Sequence, residues 1–332
     1  MIINKTILHI FDSNSDIYVL SQRGLDISNN AINSYIEKHL DHIQLDANQK
    51  LGAFLPDTSF LVQLNRYLKQ QSDFIEWSFF VGKTLFEQLL RSDKSESTDL
   101  LIADFSNSNI RYLALLLLSS KKSYTHQVLN NNGEIHNEIV LHNSILPNIT
   151  QKIDSYALIR CDNLTVGFSD IKRTVDGKET YLIPEILLQC TSTISSREAI
   201  KTVSKIAIEV AEKNGLNSAV ILSKAKNFFL ENAEISSTFS PVELGQDLFE
   251  GSEDMQKEFE IQINKAQLPN DVKVDKGFAI RIGKKHKIKT DTGIEITFPA
   301  EYFDNHDYIE FVNNPDGTIS IEVKNIGKIL NK

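Results

Sequence analysis

Two apolar runs in the first half of the chain dominate its hydrophobic pattern. Residues 100–105 and 112–118 are strongly apolar, and a polar segment rich in Asn and Ser separates them. Short apolar runs bounded by turn residues are typical of buried strands. The pattern therefore predicts a buried β-hairpin within residues 99–126. Lys121, Lys122 and Tyr124 follow the second strand of this hairpin. They are the first residues along the chain that could contact a partner molecule.

The segments around this hairpin carry both helix and strand patterns. Alternation predicts an opening hairpin with strands at 2–11 and 16–20. Apolar residues at helical spacing predict three helices, at about 32–43, 58–69 and 73–85. After the central hairpin we expect the same sheet to continue through strands at 126–129, 135–142, 156–160, 164–168 and 181–188. These patterns predict an α/β mixture with a largely antiparallel sheet.

The composition changes near residue 193. Ser195 and Glu198 form an S-x-x-E capping box, and apolar residues at helical spacing follow them. Four helices are predicted between about 195 and 266, and turn signals at 291–293 and 313–317 then predict strands. We therefore predict an α+β fold: an α/β N-terminal domain at 1–192, a helical segment at 193–268 and a small C-terminal β subdomain at 269–332.

Composition and charge limit the classes of protein to which this chain can belong. The chain has 332 residues, and its longest uninterrupted apolar run, residues 112–118, is far below the roughly 18 that a membrane helix needs. The start of the chain does not resemble a signal peptide, so we expect a cytoplasmic protein. Cys161 and Cys190 lack zinc-ligand spacing, which favours a reduced compartment. The formal net charge of −9 excludes a protein whose whole surface binds nucleic acid, so any contact with a polyanion must be local.

Motifs for catalysis and cofactor binding are weak. Gly82-Lys83-Thr84 is similar to the end of a phosphate-binding loop, but the glycine that this motif needs five positions earlier is replaced by Trp77. Pro315-Asp316 with Glu322-Val323-Lys324 has the letters of a metal-dependent nuclease site, although the two carboxylates belong to a turn and the strand after it. The histidines lack the spacing of metal ligands. No cofactor or metal is expected, and an enzyme without a recognisable motif remains an alternative.

The clearest charge feature lies between residues 273 and 289. We expect its cations to lie on adjacent strands, with Gly283 at a bend. There they could contact consecutive phosphates of a nucleic acid. Two other interpretations stay open: a lysine-rich strand face that protects a sheet edge, and charge pairing between subunits. The cations are Lys273, Lys276, Arg281, Lys284, Lys285, Lys287 and Lys289.

Three stretches resemble a known protein family. They are the opening IINKTILHIFD, the central LLIADFSNSNIRYLALLLLSSKKSYTH and the segment ILPNITQKIDSYALIRCDNL. The chain resembles the bacterial nucleoid-associated protein family of YejK-like proteins over nearly its full length, most closely in residues 1–190. This resemblance implies a protein associated with the nucleoid that contacts DNA and has no known catalytic role. It transfers no catalytic residues.

The leading hypothesis is a non-enzymatic protein that contacts DNA phosphates without sequence specificity. Its candidate contacts are the cations between residues 273 and 289, aided by Lys121, Lys122 and Tyr124. The alternative is a protein-interaction scaffold that a partner protein recruits to the nucleoid, and a metal-dependent nuclease is a distant third. Because helices such as residues 196–213 have broad apolar faces, we also expect a homodimer.

Overall fold

The computed structural model describes residues 1–12, 17–93, 97–131, 133–274, 276–299, 302, 305, 307–315 and 318–328. The chain divides into two compact units, Met1–Thr193 and Ile194–Lys332. The strands of the first unit are β1 (Ile2–Asp12), β2 (Ile17–Val19), β3 (Lys50–Gly52), β4 (Thr98–Asn107), β5 (Ile110–Ser119), β6 (Lys121–Asn131), β7 (Glu134–Ile145), β8 (Ser155–Arg160), β9 (Val166–Ser169), β10 (Lys172–Val175) and β11 (Lys178–Tyr181). Its helices are α1 (Asn30–Gln44), α2 (Ser59–Leu68), α3 (Phe74–Leu89) and a π-helix (Leu182–Leu188).

The predicted central hairpin is confirmed as β4 and β5. These strands lie inside a seven-stranded antiparallel sheet in the order β2-β1-β4-β5-β8-β9-β3. Ser108 and Asn109 connect them with φ angles of 50° and 63°, which suit the type I′ turn that matches the twist of paired strands. Both faces of the hairpin are buried. Side chains of α2, α3 and the π-helix cover one face, and side chains of α1 cover the other.

The three predicted helices of the first unit are also confirmed. Each begins at a polar residue whose side chain accepts a backbone N–H of the first turn, as an N-cap does. These N-caps are Asn29, Thr58 and Asp73. The opening hairpin is confirmed as β1 and β2; residues 13–16, which include most of its predicted turn, lie outside the described residues.

Residues 181–188 do not form the predicted strand. Tyr181 ends β11, and the seven residues after it form the π-helix. Its leucines and Ile183 are buried in the core, and Ile186 packs against the core partly buried. A short apolar run does not distinguish a strand from a buried helical turn. Pro184 also lacks the N–H that a residue in a central strand would donate. The sequence therefore did contain one signal against a strand here.

The segment after the central hairpin forms strands, but these strands do not extend the main sheet as expected. β6 and β7 pair only with each other, in a two-stranded sheet that we call the ribbon. The edge of β5 is instead occupied by β8, with Leu115 opposite Ala157. β8 buries all of its residues except Arg160, whereas most described side chains of the ribbon are exposed. Burial of apolar surface therefore favours β8 over β6 as the neighbour of β5.

The second unit is mainly helical. Its helices are α4 (Ser196–Lys213), α5 (Ser218–Ile235), α6 (Pro241–Leu248), α7 (Glu253–Lys265) and α8 (Lys276–Gly283). Its strands are β12 (Thr238–Phe239), β13 (Val272–Lys273), β14 (Lys285–Lys289), β15 (Glu295–Pro299), β16 (Ile309–Asn313) and β17 (Ile319–Val323). The four helices predicted before residue 268 are confirmed, and the Ser195/Glu198 capping box forms in both directions. Ala207, Phe229 and Phe259 lie at the centre of this unit's core.

The C-terminal segment contains the predicted hairpins, β14–β15 and β16–β17, and also an unexpected helix. α8 occupies residues 276–283, where strands were predicted. Phe278, Ala279 and Ile282 lie at helical rather than alternating spacing, and they pack into the core of the second unit. The period of 3.6 residues was present in the sequence, but its eight residues are short for a periodicity signal. The α+β fold class is confirmed.

No helix in the described part of the chain combines the length and the apolar character needed to cross a membrane. Within the same residues, no group of three or more His, Cys, Asp or Glu side chains could hold a metal ion.

A buried carboxylate joins four elements of the first unit. Asp104 of β4 has a side chain that is only 2% exposed, and Arg111 of β5 donates to both of its oxygens, at 3.1 Å and 2.6 Å. Tyr67 of α2 donates to Asp104 Oδ2 at 2.5 Å, and Asn4 of β1 donates to Oδ1 at 3.1 Å. Burial alone would raise the pKa of Asp104, but these hydrogen bonds, chiefly that from Arg111, hold the pKa below its usual value.

Replacing Arg111 by Met should strongly destabilise the first unit. The change leaves the Asp104 carboxylate buried without its bidentate partner, which typically costs about 3–5 kcal/mol. Urea unfolding measures the loss. Arg160→Met is the matched control, because Arg160 also forms a bidentate pair, with Asp162, but on the surface, where solvent screening leaves a pair with little effect on stability. Equal losses for the two variants would contradict this role of Asp104.

The contribution of His9 to stability should fall as the pH is lowered through the range from about 6.5 to 4, because His9 is fully buried. Burial lowers its pKa from 6.5 to about 4, so in this range the unfolded chain binds a proton that the folded chain does not. The shift corresponds to a loss on the order of 3 kcal/mol at the acid end. Urea unfolding of the wild type and of His9→Gln at several pH values measures it.

The comparison with His9→Gln is needed because Asp99 acts in the opposite direction. Burial raises the pKa of Asp99 to about 6, so this carboxyl stabilises the folded chain as the pH falls. Both proteins share that contribution, and the difference between them isolates His9. A difference in unfolding free energy that does not change with pH would show that His9 does not titrate in this way.

Candidate nucleic-acid interface

The cations predicted to contact DNA lie on three different elements. Lys273 ends β13, Lys276 and Arg281 lie on α8, and Lys284 directly follows α8. The remaining lysines, Lys285, Lys287 and Lys289, lie on β14. The side chains of the other six cations are exposed; the side chain of Lys285 is not among those that the structure describes.

The predicted arrangement on adjacent strands with a bend at Gly283 is therefore wrong. Gly283 is the last residue of α8, and a Cβ atom at this position would lie 3.1 Å from Leu230 of α5. The glycine allows the end of α8 to approach α5 closely. Its role is helix packing rather than a bend between strands.

α8 has a buried side and a cationic side. Ala279 and Gly283 are buried, whereas Lys276, Arg281 and Lys284 are exposed. The sequence forms this helix because its small and apolar residues share one face against the core of the second unit. From Lys276 to Lys284 the chain advances about 12 Å along the helix, which corresponds to three or four base-pair steps of about 3.4 Å each.

Two of the β14 lysines are already paired. Glu295 on β15 lies 2.7 Å from Lys287 Nζ and 3.9 Å from Lys289 Nζ. One carboxylate thus partly neutralises both cations. By contrast, within the described part of the chain no carboxylate forms an ion pair with Lys273, Lys276, Arg281 or Lys284.

Sequence reasoning missed one further cation, Arg197 at the start of α4. The guanidinium carbons of Arg197 and Arg281 each lie 5.9 Å from the centre of the Phe278 ring, a distance at which a cation is attracted to an aromatic face. α4 also contacts β13, which carries Lys273. We call Arg197, Lys273, Lys276, Arg281 and Lys284 the basic cluster.

No local pattern could have linked Arg197 to α8. The two elements are separated by three helices in the sequence, and only the packing of α4 near α8 brings the two guanidinium groups to one ring. The available signal was weaker: Arg197 and Lys201 are exposed cations at i and i+4 on the same face of α4.

The second predicted group lies in the first unit. Lys121 and Lys122 begin β6 of the ribbon, and Tyr124 follows them with 72% of its surface exposed. All three side chains are open to solvent. They are available for contact, but they belong to a different compact unit from the basic cluster.

The other motifs do not form catalytic or phosphate sites in the described residues. Gly82, Lys83 and Thr84 lie within α3, and a Cβ at Gly82 would come 2.7 Å from Leu20, so this backbone packs against protein rather than around a phosphate. Asp316 of the nuclease-like motif lies outside the described residues. Lys324 of that motif forms an ion pair with Glu310.

A shallow cleft of the first unit, about 540 Å³ in volume, also contains cations. Lys5 Nζ and the guanidinium carbon of Arg111 lie 5.9 Å and 5.4 Å from the centre of the Tyr67 ring. Asp73 and Glu76 line the same cleft, and Arg111 already pairs with Asp104. These carboxylates offset the positive charge, so the cleft is a poorer site for a polyanion than the basic cluster.

Comparison with known proteins gave one result that covers both units. A search of curated proteins found no match. A family model described as nucleoid-associated protein YejK matches residues 7–331, which is nearly the whole chain. The resemblance identified from the three sequence stretches is thus confirmed, and the chain belongs to the family of the nucleoid-associated protein YejK.

Proposed function

We propose that this protein contacts DNA phosphates without sequence specificity, chiefly through the basic cluster. Membership of a nucleoid-associated family supports a role at the nucleoid. The observation that carries the proposal is the group of exposed cations at Lys273, Lys276, Arg281 and Lys284, which have no ion pair among the described residues. Lys121, Lys122 and Tyr124 form a second, smaller contact.

The chemistry of the basic cluster favours phosphates over bases. Lysine ammonium groups act as point charges that bind phosphate oxygens without reading sequence. Arg281 lies over Phe278, which leaves the outer edge of its guanidinium group for a phosphate. The formal net charge of −9 repels DNA from the rest of the surface, so the contact is local and sensitive to salt.

Among the cations between residues 273 and 289, Lys287 and Lys289 of β14 contribute less to the binding of DNA. A phosphate that approaches Lys287 or Lys289 competes with the carboxylate of Glu295. We therefore assign the main contact to α8 and the residues next to it. The β14 lysines form its border.

Removing three charges of the basic cluster should weaken DNA binding at all sequences. In a Lys276→Gln/Arg281→Gln/Lys284→Gln variant, three phosphate contacts are lost. The slope of log K against log salt concentration then falls by roughly 2–3, because each contact contributes about 0.9. Fluorescence anisotropy with two unrelated labelled duplexes, at about 50 and 200 mM salt, measures affinity and slope.

The matched control for this variant is Lys287→Gln/Lys289→Gln, which removes two lysines whose charge Glu295 already neutralises in part. We expect a clearly smaller change in its affinity and slope. If the triple variant binds like the wild type, the basic cluster is not the contact. If it loses affinity for only one of the two duplexes, binding is not sequence-independent.

A second candidate function is a protein-interaction scaffold that reaches the nucleoid through a partner. The exposed apolar side chains of the ribbon favour it, with Ile139 80% exposed and Ile135 68% exposed, as does the negative net charge. A scaffold would be recovered with nucleoid proteins after nuclease treatment and would have no affinity for bare duplex. Direct phosphate contact predicts the opposite pair of results.

We further propose that the protein is not an enzyme and acts in the bacterial cytoplasm at the nucleoid. The nuclease alternative has a direct test in plasmid cleavage with magnesium or manganese, compared between the wild type and Asp316→Ala. Cleavage that disappears in the variant would replace the non-enzymatic proposal. The homodimer also stays a prediction of the sequence.

A further inference from the structure

The ribbon has one apolar face that is open to solvent. In an antiparallel pair, residues directly opposite each other lie on the same face and alternate along each strand. The register places Tyr124 opposite Leu141 and His126 opposite Ile139. The apolar face therefore carries five large side chains: Tyr124 at 72% exposed, Val128 at 62%, Ile135 at 68%, Ile139 at 80% and Leu141 at 43%.

The two faces of the ribbon differ in charge as well as in polarity. From Tyr124 to the tip, the described residues of the apolar face include no Asp, Glu, Lys or Arg. The polar face carries Glu134, His136, Glu138 and His142, with Thr125 and Gln127 on the opposite strand. His136 Nε2 lies 3.3 Å from Glu138 Oε1 on that side. Leu129 and Val140 also lie on the polar face, where they are partly buried. The large apolar side chains that are exposed between Tyr124 and Leu141 are therefore confined to the other face.

The ribbon is a long hairpin that pairs with no other strand in the described part of the chain. Its strands contain 11 and 12 residues. Two-stranded hairpins without a covered face are marginally stable in water. A partner that covers the apolar face would remove this cost.

We propose that the apolar face of the ribbon is the contact between two copies of this chain. A second copy brings an identical uncharged face, so the two faces can meet around a two-fold axis without like-charge repulsion. DNA does not fit this face between Tyr124 and the tip because that part offers phosphates no cations. Tyr124 lies at its end, next to Lys121 and Lys122, where the face adjoins the smaller DNA contact. The five exposed side chains supply the apolar centre that such an interface needs, and His126 and Asn137 on the same face supply further area.

The helices that suggested a dimer in the sequence are not available for it. The apolar face of α4, with Val203, Ala207 and Val210, is buried in the core of the second unit. The ribbon is therefore the better site for self-association. This inference does not depend on the contact with DNA.

Replacing Ile139 by Asp should separate the two copies. The change places a carboxylate on each apolar face, where desolvation and repulsion oppose association. Sedimentation velocity of the full chain from about 1 to 100 µM should give twice the chain mass of 37.6 kDa for the wild type and at least a tenfold weaker dimer for the variant. Thr125→Asp adds the same charge to the polar face of the same strand pair, and it should remain dimeric.

Three outcomes would overturn the proposal. These are a wild type that stays monomeric up to about 100 µM, an Ile139→Asp variant that dimerises like the wild type, and a Thr125→Asp variant that dissociates equally. Because Ile139 is 80% exposed, its substitution should leave the far-UV circular dichroism spectrum unchanged, which separates dissociation from unfolding. A monomeric wild type would assign the face to a different protein.

Discussion

The burial of both faces of the β4–β5 hairpin determines much of the architecture of the first unit. Leu100 and Ile102 face one core, whereas Leu101 and Ala103, the residues between and after them, face the other. A sheet that is apolar on both sides needs two covering layers, and α1 lies on one side while α2 and α3 lie on the other. Asp104 is the one ionisable side chain of the hairpin with less than 2% of its residue surface exposed. Hydrogen bonds from β1, α2 and β5 hold its carboxylate. The sheet therefore gains a polar connection between its strands and α2 without an unpaired buried charge.

Local signals in the sequence were sufficient where a segment's own residues decide its structure. Asn29, Thr58 and Asp73 cap their helices as expected, and the apolar runs of β4 and β5 pair as a hairpin. Prediction failed where a competing segment decides the outcome. The strands after the central hairpin were expected to continue the same sheet, but β6 and β7 form a sheet of their own and β8 pairs with β5. The pattern of one segment alone does not show which of several strands buries the most apolar surface at a given edge. At the π-helix, a short apolar run had two interpretations, and only the missing N–H of Pro184 favoured the correct one.

The same distinction applies to the candidate interface. The density of lysines between residues 273 and 289 was visible in the sequence. Their availability was not, because Glu295 on the opposite strand pairs with two of them. Arg197 joins the basic cluster only through the packing of α4 near α8 and the shared ring of Phe278. Charge patterns along a chain thus locate a cationic segment, and tertiary structure decides which of its cations remain unpaired.

The pairing of β1 with β4 has a consequence for synthesis on the ribosome. β1 contains Ile3, Ile7 and Phe11, which become buried in the folded protein, yet β4 is completed only at Asn107. Roughly the first hundred residues must therefore be made before this strand reaches its main partner, and at about 5–20 residues per second this takes several seconds or longer. β2, with three residues, is the only earlier strand that pairs with β1 in the described structure. The apolar side chains of β1 therefore stay exposed in the nascent chain until the central hairpin emerges.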